Sequence, residues 1–370
     1  MTFNEQPAGI IGCYSPIWYQ VYDANYTQTD FYYQFEVYIW NGAATIPGSP
    51  TFTINKKPDT FAGGRASIDI HKLVQQEIAR QIDFSGTNQP NIQEACKRIA
   101  VECTGYWTGG GPTATVASNI VLTTPGWSYT KEGFNNDYSS KVVYTDRTKV
   151  YLTESTSEFY LWFDANTVNT VDVGAITQPP NTVTDNREAI QGVDIVWLMA
   201  LAGLTGTNST ITFNTGGVSD VDIDVEYICQ NKYGEALAHF LNKYGVYESF
   251  VFNAMSRGTE EVRSETYEQP IYKQEDMAEA WDLGVGITTP YLNQAWRTLM
   301  VNTPYLDDSE VDLIRQMHLS RNIVLVEDST IKSVRVVDSS FMDKSSNNDK
   351  LVQYALNLKY NHPEVNAMIR

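Results

Sequence analysis

The sequence predicts a mainly β protein, built as β-sandwich units in series with a few short α-helices inserted. Three observations predict it. Charged residues make up 19% of the chain, against roughly 25% in ordinary globular proteins. Aromatics reach 12%, led by 23 tyrosines, and tyrosine and threonine favour pleated, half-buried surfaces. Apolar side chains also alternate with a period of two in several stretches, the signature of a strand with one face inside.

The elements follow in order. Strands are expected over 17–22 and 31–40. In the second, Phe31, Tyr33, Phe35, Val37 and Ile39 share one face, with Tyr32, Tyr38 and Trp40 on the other. Aromatics on both faces imply that both are covered, one by a core and the other by a second layer or a partner. Asp69 can cap a helix that carries Ile70, Leu73, Val74, Ile78 and Ile82 on one stripe and stops before Gly86. Strands over 92–107 and 115–122 flank a Gly109-Gly-Gly-Pro112 loop.

Strands over 149–153 and 158–163 are expected to form a hairpin around Glu154-Ser-Thr-Ser157. Gln178-Pro-Pro-Asn-Thr182 is the most linker-like stretch. Val221, Ile223, Val225 and Tyr227 face in, alternating with Asp222, Asp224 and Glu226. A helix over 235–244, stopped by Gly245, then leads into a strand over 246–252. The last part combines a helix over 292–301 with strands over 322–326, 331–337 and 351–360. Tyr354, Leu356, Leu358 and Tyr360 share a face of the last strand, and 339–349 reads as a polar loop. These elements divide the chain into β-rich units at 1–124, with an inserted helix, and 125–255. A C-terminal α+β meander follows at 256–370.

The 370 residues accommodate two to three domains at roughly 150 residues each. With 26 Lys and Arg against 44 Asp and Glu, the net charge is −18. That charge argues against nucleic acid or an anionic membrane as the main partner. The opening Met-Thr-Phe-Asn-Glu-Gln has neither a basic nor an apolar leader segment, so no secretory signal is expected. The longest apolar run, over 195–204, is about half the ~20 residues a bilayer needs. Cys13, Cys96, Cys103 and Cys229 show no C-x-x-C spacing, so neither zinc nor a disulfide framework is expected. Synthesis in a reducing cytoplasm fits that usage.

Candidate chemistry is sparse. Asp220, Asp222, Asp224 and Glu226 alternate with apolar residues and lack the glycine of a calcium loop, so they read as the wet face of a strand. His71, His239, His318 and His362 accompany no G-x-S-x-G or H-E-x-x-H motif. No phosphate-binding loop occurs, because Gly109-Gly-Gly-Pro112 is not followed by Lys and Ser or Thr. No cofactor or metal is therefore expected. Glu154 and Glu158, with Tyr151, Tyr160 and Trp162 beside them, could line a sugar site. The same Tyr160 and Trp162 could instead pack inward or against a neighbouring subunit. Tyr32, Tyr38 and Trp40, with Tyr160 and Trp162, are the candidate interface residues.

Several phrases together carry a resemblance: Ser15-Pro-Ile-Trp18, Ile68-Asp-Ile70, Pro125-Gly-Trp-Ser-Tyr129 and Glu132-Gly-Phe-Asn135. To these are added Cys229-Gln-Asn-Lys-Tyr233, the 241–252 stretch, Thr303-Pro-Tyr-Leu306 and the terminal Tyr354-Ala-Leu-Asn-Leu-Lys-Tyr360. Their order resembles virion structural proteins of large tailed bacteriophages, including the crAss-like and other Bacteroidetes-infecting types. The resemblance implies immunoglobulin-like or related β-sandwich domains. It also implies a non-enzymatic role in a tail, neck or baseplate ring, with copies of itself and other virion proteins as partners. The protein would be made in the host cytoplasm and end in the virion. A head-fibre or receptor-binding component is one alternative, and a carbohydrate-binding or glycan-cleaving module is another.

Overall fold

The structure, a computed structural model, describes residues 1–78, 88–184, 186–217, 219–228, 235–268, 272–275, 278–281, 287–307, 310–327, 330–338, 340–341 and 351–368. Two compact units emerge. The first takes 1–229, 239–250 and 312–322, and the second takes 230–238, 251–311 and 323–370. The first unit thus takes all of 1–124 and most of 125–255 together with 312–322, while 230–238 and 251–255 go to the second.

The first unit opens with a β-sandwich. One layer runs Ile10–Gly12, Val121–Thr124, Lys97–Tyr106, Tyr32–Trp40, Phe52–Lys56, with Val116–Ala117 added to the long strand. The other is Thr2–Glu5, Trp18–Tyr22 and Arg65–Asp69. Tyr19, Val21 and Ile68 from the small sheet meet Tyr33, Phe35, Val37, Ile99 and Val101 from the large one in a single core. The odd-numbered face of the Tyr32–Trp40 strand is inside, as its alternation requires. Asp69, expected as the cap, is displaced from that role: Ile70 holds the N-cap position without a side-chain bond, and Asp69 accepts from the His71 N–H at 3.1 Å beside the start of the helix His71–Glu77. Val74 and Ile78 of its stripe join the core, while Ile82 lies outside the described residues.

Farther along the same unit, a five-stranded sheet runs Lys149–Leu152, Val221–Tyr227, Ser209–Asn214, Thr170–Val173, Ile176–Gln178. Tyr160–Asp164 pairs separately with Ile190–Asp194. The expected hairpin over 149–163 is therefore corrected. Lys149–Leu152 runs parallel to Val221–Tyr227, and the Thr153–Thr156 turn hands the chain to another sheet. Five consecutive buried residues, Tyr160–Asp164, suit a strand covered on both faces rather than a surface hairpin. The acidic strand matches its alternation: Ile223 and Val225 are buried while Asp222 and Asp224 are exposed. The apolar run after Ile195 is a helix, Ile195–Leu201, whose N-terminus Asp194 caps through the Val196 N–H at 3.0 Å.

A second correction concerns 235–244, expected as a helix. It is the strand Ala236–Leu241, followed by the strand Tyr247–Phe252, and every residue of both is buried. A continuous apolar run satisfies a helix stripe and a doubly covered strand equally; burial on both faces decides for the strand. Gly245, at φ +85, forms the turn, and a Cβ there would lie 2.6 Å from the Gly126 nitrogen. The helix Val311–Leu319, which the sequence reading did not assign, buries Leu313, Ile314 and Met317.

In the second unit an antiparallel sheet runs Ile323–Glu327, Thr330–Val336, Ala355–Tyr360, Thr288–Asn302, Arg257–Glu268, with Val365–Met368 also on Thr288–Asn302. Tyr354, Leu356, Leu358 and Tyr360 are all buried, as their shared face predicts. The expected helix over 292–301 is the third correction, since Thr288–Asn302 is a 15-residue strand with partners on both edges. Pairing along two edges overrides the local helix preference of Leu292, Ala295 and Leu299. Of the loop over 339–349, only Ser340 and Phe341 are described, and Cys229 falls outside the described residues.

Candidate functional site

The predicted interface aromatics divide into two groups. Tyr38 is only 5% exposed, and its phenol donates toward Glu36 at 3.2 Å and Glu102 at 3.0 Å. Burial, reinforced by the Glu102 carboxylate, pushes that phenol well above its ordinary range. Half-buried Tyr32 stacks on Tyr106 at 5.4 Å, and half-buried Trp40 donates its indole N–H to the Ala43 carbonyl at 2.9 Å. Neighbours from the same sheet thus cover much of this face.

Tyr160 and Trp162 are 1% and 2% exposed, inside a core with Leu122, Tyr144, Tyr244 and Tyr247. The Trp162 indole donates to the Tyr247 carbonyl at 2.6 Å. Both are core residues and present no surface to a subunit or a sugar, which corrects their placement among the interface candidates.

Beside them lies a polar cluster the sequence did not reveal. His239 Nδ1 is 2.8 Å from Ser249 Oγ, and His239 Nε2 is 3.1 Å from Glu158 Oε1. The Tyr160 N–H donates to Ser249 Oγ at 2.9 Å; the Glu158 carboxylate only accepts, so Nε2 donates to it, and in the neutral imidazole Nδ1 then accepts from the serine hydroxyl. Burial raises the Glu158 carboxyl, but the hydrogen bonds from His239 and Tyr160 outweigh it and hold Glu158 below its usual range. Asp194 goes the other way. Burial lifts it to about 6 despite the Phe159 and Val196 N–H groups that donate to it.

A serine, a histidine and a carboxylate in a row are the parts of a nucleophilic triad. Here, however, Ser249 and His239 are both 0% exposed, and the serine oxygen already accepts a backbone N–H. The cluster ties three strands together in the interior. Arg147 and Glu248 form an ion pair nearby, at 2.8 Å and almost fully buried, with Asn242 also donating to the carboxylate at 3.0 Å. The Asn242 to Val246 hydrogen bond across the Gly245 turn sets a register that puts His239 opposite Ser249. Read as a hairpin, the sequence would have paired them.

Among the described residues no group of three or more His, Cys, Asp or Glu could hold a metal ion. The acidic strand's carboxylates are taken up by neighbours: Asp222 accepts from Thr212 at 2.7 Å and Asp224 from Thr210 at 2.8 Å.

The most prominent exposed feature is a long β arm in the second unit. Arg257–Glu268 pairs along its whole length with Thr288–Asn302, from Arg257 opposite Met300 to Glu268 opposite Thr288. At about 3.3 Å per residue the outer strand is about 40 Å long. All its residues are exposed except half-buried Glu265, and Val262 is 67% exposed. Among the described residues it pairs on one side only, so from Arg257 to Thr266 one edge presents a row of backbone N–H and C=O groups to a further strand. Its side chains carry both signs. Arg263 meets Glu265 at 2.6 Å, Glu265 accepts from the Tyr291 hydroxyl at 2.7 Å, and Lys359 reaches Glu261 at 3.0 Å. The only signals for this strand in the sequence were the β-formers Thr259, Val262, Thr266 and Tyr267, without one-faced alternation.

No protein-family model matches the chain, and no curated protein does. Among solved structures it is similar to a tri-modular GH5 (subfamily 4) endo-β-1,4-glucanase from Bacillus licheniformis complexed with cellotetraose. The match has 11% identity, covers 61% of this chain and 38% of the glucanase, and has a TM-score of 0.18. No argument about fold or activity is carried by so low a score.

Proposed function

We propose that the chain is a non-catalytic structural subunit of a tailed-phage virion, making subunit contacts in a tail, neck or baseplate ring. The observation that carries this reading is the arm. A twelve-residue edge strand exposed on both faces buries little apolar surface of its own, and such an edge is a template for pairing with another chain. The resemblance of the aromatic and Gly/Asn phrases to virion structural proteins supplies the setting. The carbohydrate alternative loses support because Tyr160 and Trp162, its stacking platform, are core residues.

The test uses phage particles banded from lysates of cells that produce the chain. Glu261 and Trp296 face one another across the arm, so an Asn-Gly turn between them removes 262–295 and closes a shortened hairpin. The intact chain is expected in the particle band, and the shortened chain is expected to fold but remain in the soluble fraction. Absence of the intact chain from the band, or equal incorporation of both, overturns the reading.

A further inference from the structure

We infer that the outer strand of the arm, Arg257–Glu268, pairs antiparallel with the same strand of a second copy, about a two-fold axis at Val262. The inference rests on the arm being the contact surface and adds the partner and the register.

The edge itself selects both. An edge kept from pairing by repulsion would carry one sign of charge, whereas this one carries Arg257, Glu260, Glu261, Arg263, Glu265 and Glu268. Its order is complementary to its own reverse. A two-fold axis standing on the continued sheet keeps every side chain on its own face. Facing residues are therefore an even number of places apart, and one residue faces itself.

Few registers remain. An axis at Glu260, Glu261, Arg263 or Glu265 sets a charge against its own copy. At Ser264 the axis puts Glu260 opposite Glu268 twice. Axes nearer either end leave only a short overlap. An axis at Val262 sets the exposed isopropyl groups against each other and Glu261 opposite Arg263 on both sides. Outward from there it sets Glu260 opposite Ser264, Thr259 opposite Glu265, Gly258 opposite Thr266 and Arg257 opposite Tyr267. No like charges face one another from Arg257 to Tyr267, and two cross-strand ion pairs flank the axis. The inner strand takes up the one irregularity in the arm: its register shifts between Glu265 and Thr266, skipping Tyr291. The alternation of the outer strand is therefore unbroken. A two-fold contact closes at two copies, so a larger assembly uses a different second surface.

The test is sedimentation velocity on the full chain, with charge swaps at exposed positions. Glu261→Arg sets an arginine against Arg263 of the other copy, and Arg263→Glu sets a glutamate against Glu261. The intact chain should form a dimer, each single swap should weaken it at least about tenfold, and the double swap should restore it to within about threefold. Val262→Cys should be linked to its own copy by a short bismaleimide, with Ser264→Cys linking far less and the intact chain as background. A monomeric intact chain, or a dimer indifferent to the single swaps, overturns the inference. If the intact chain is monomeric and the shortened-arm chain is lost from particles, the arm contacts a different protein and the virion reading stands. If the shortened-arm chain still enters particles, that reading falls too.

Discussion

The two prominent hairpins of this molecule use the same secondary structure for opposite ends. Around the Gly245 turn, every residue of Ala236–Leu241 and Tyr247–Phe252 is buried, and the polar side chains His239, Ser249, Asn242 and Glu248 all have internal partners. Along the arm, the outer strand is exposed on both faces, and its charged groups are held by surface contacts such as Arg263 to Glu265. In the interior, satisfied hydrogen bonds fix one arrangement, because an unmade one is costly there. On the arm each contact exchanges cheaply with water or with another chain. The buried hairpin holds the fold, and the arm is available to be read by a partner.

Substitutions that strip a partner from the buried hairpin should sharpen this contrast most. Glu248→Ala leaves Arg147 charged in the interior without its carboxylate, and denaturant unfolding should show a loss of about 3–5 kcal/mol. Trp162→Ala removes the largest ring of the adjoining core, and the same measurement should show about 3–5 kcal/mol. A glycan affinity gel should show no mobility change specific to that variant, because the ring is not on the surface.

The pH dependence comes next. Asp194 has a folded pKa raised to about 6, above its unfolded value of about 3.9. Its protonated form is favoured by folding, so stability falls as pH rises from about 4 through about 6, by on the order of 2–3 kcal/mol. Asp194→Asn keeps an acceptor for the Val196 N–H and should flatten that slope in urea unfolding followed against pH. Glu158, held below its ordinary range, contributes with the opposite sign. Its share is present above about pH 4.3 and is lost as pH falls through the lowered value, so Glu158→Gln should remove part of the acid-side loss. The smallest effect belongs to the arm. Val262→Ala or Glu260→Ala should change the chain's own stability by less than about 0.5 kcal/mol. A larger loss would mean that the arm supports the fold.

What the sequence revealed follows from which faces are dry. One-sided strands were legible: Phe31 to Ile39, Val221 to Tyr227 and Tyr354 to Tyr360 each alternate, and their inward residues are buried except half-buried Ile39, Val221 and Tyr227 at strand ends. Ala236–Leu241 was misread because a doubly covered strand has no alternation to show. The arm failed for other reasons: its outer strand is exposed on both faces, and on the inner strand Leu292, Ala295 and Leu299 imitate a helix stripe. The His239 cluster was invisible because Glu158 lies 81 residues from its histidine in the chain, and spacing carries no information at that distance.

Hydrogen–deuterium exchange on the full chain at rising concentration tests the central claim most directly. The account predicts that outward-facing amides of Arg257–Thr266 gain protection as concentration rises, while those of Tyr247–Phe252 are protected at every concentration. Association that leaves the outer strand exchanging freely throughout would contradict it.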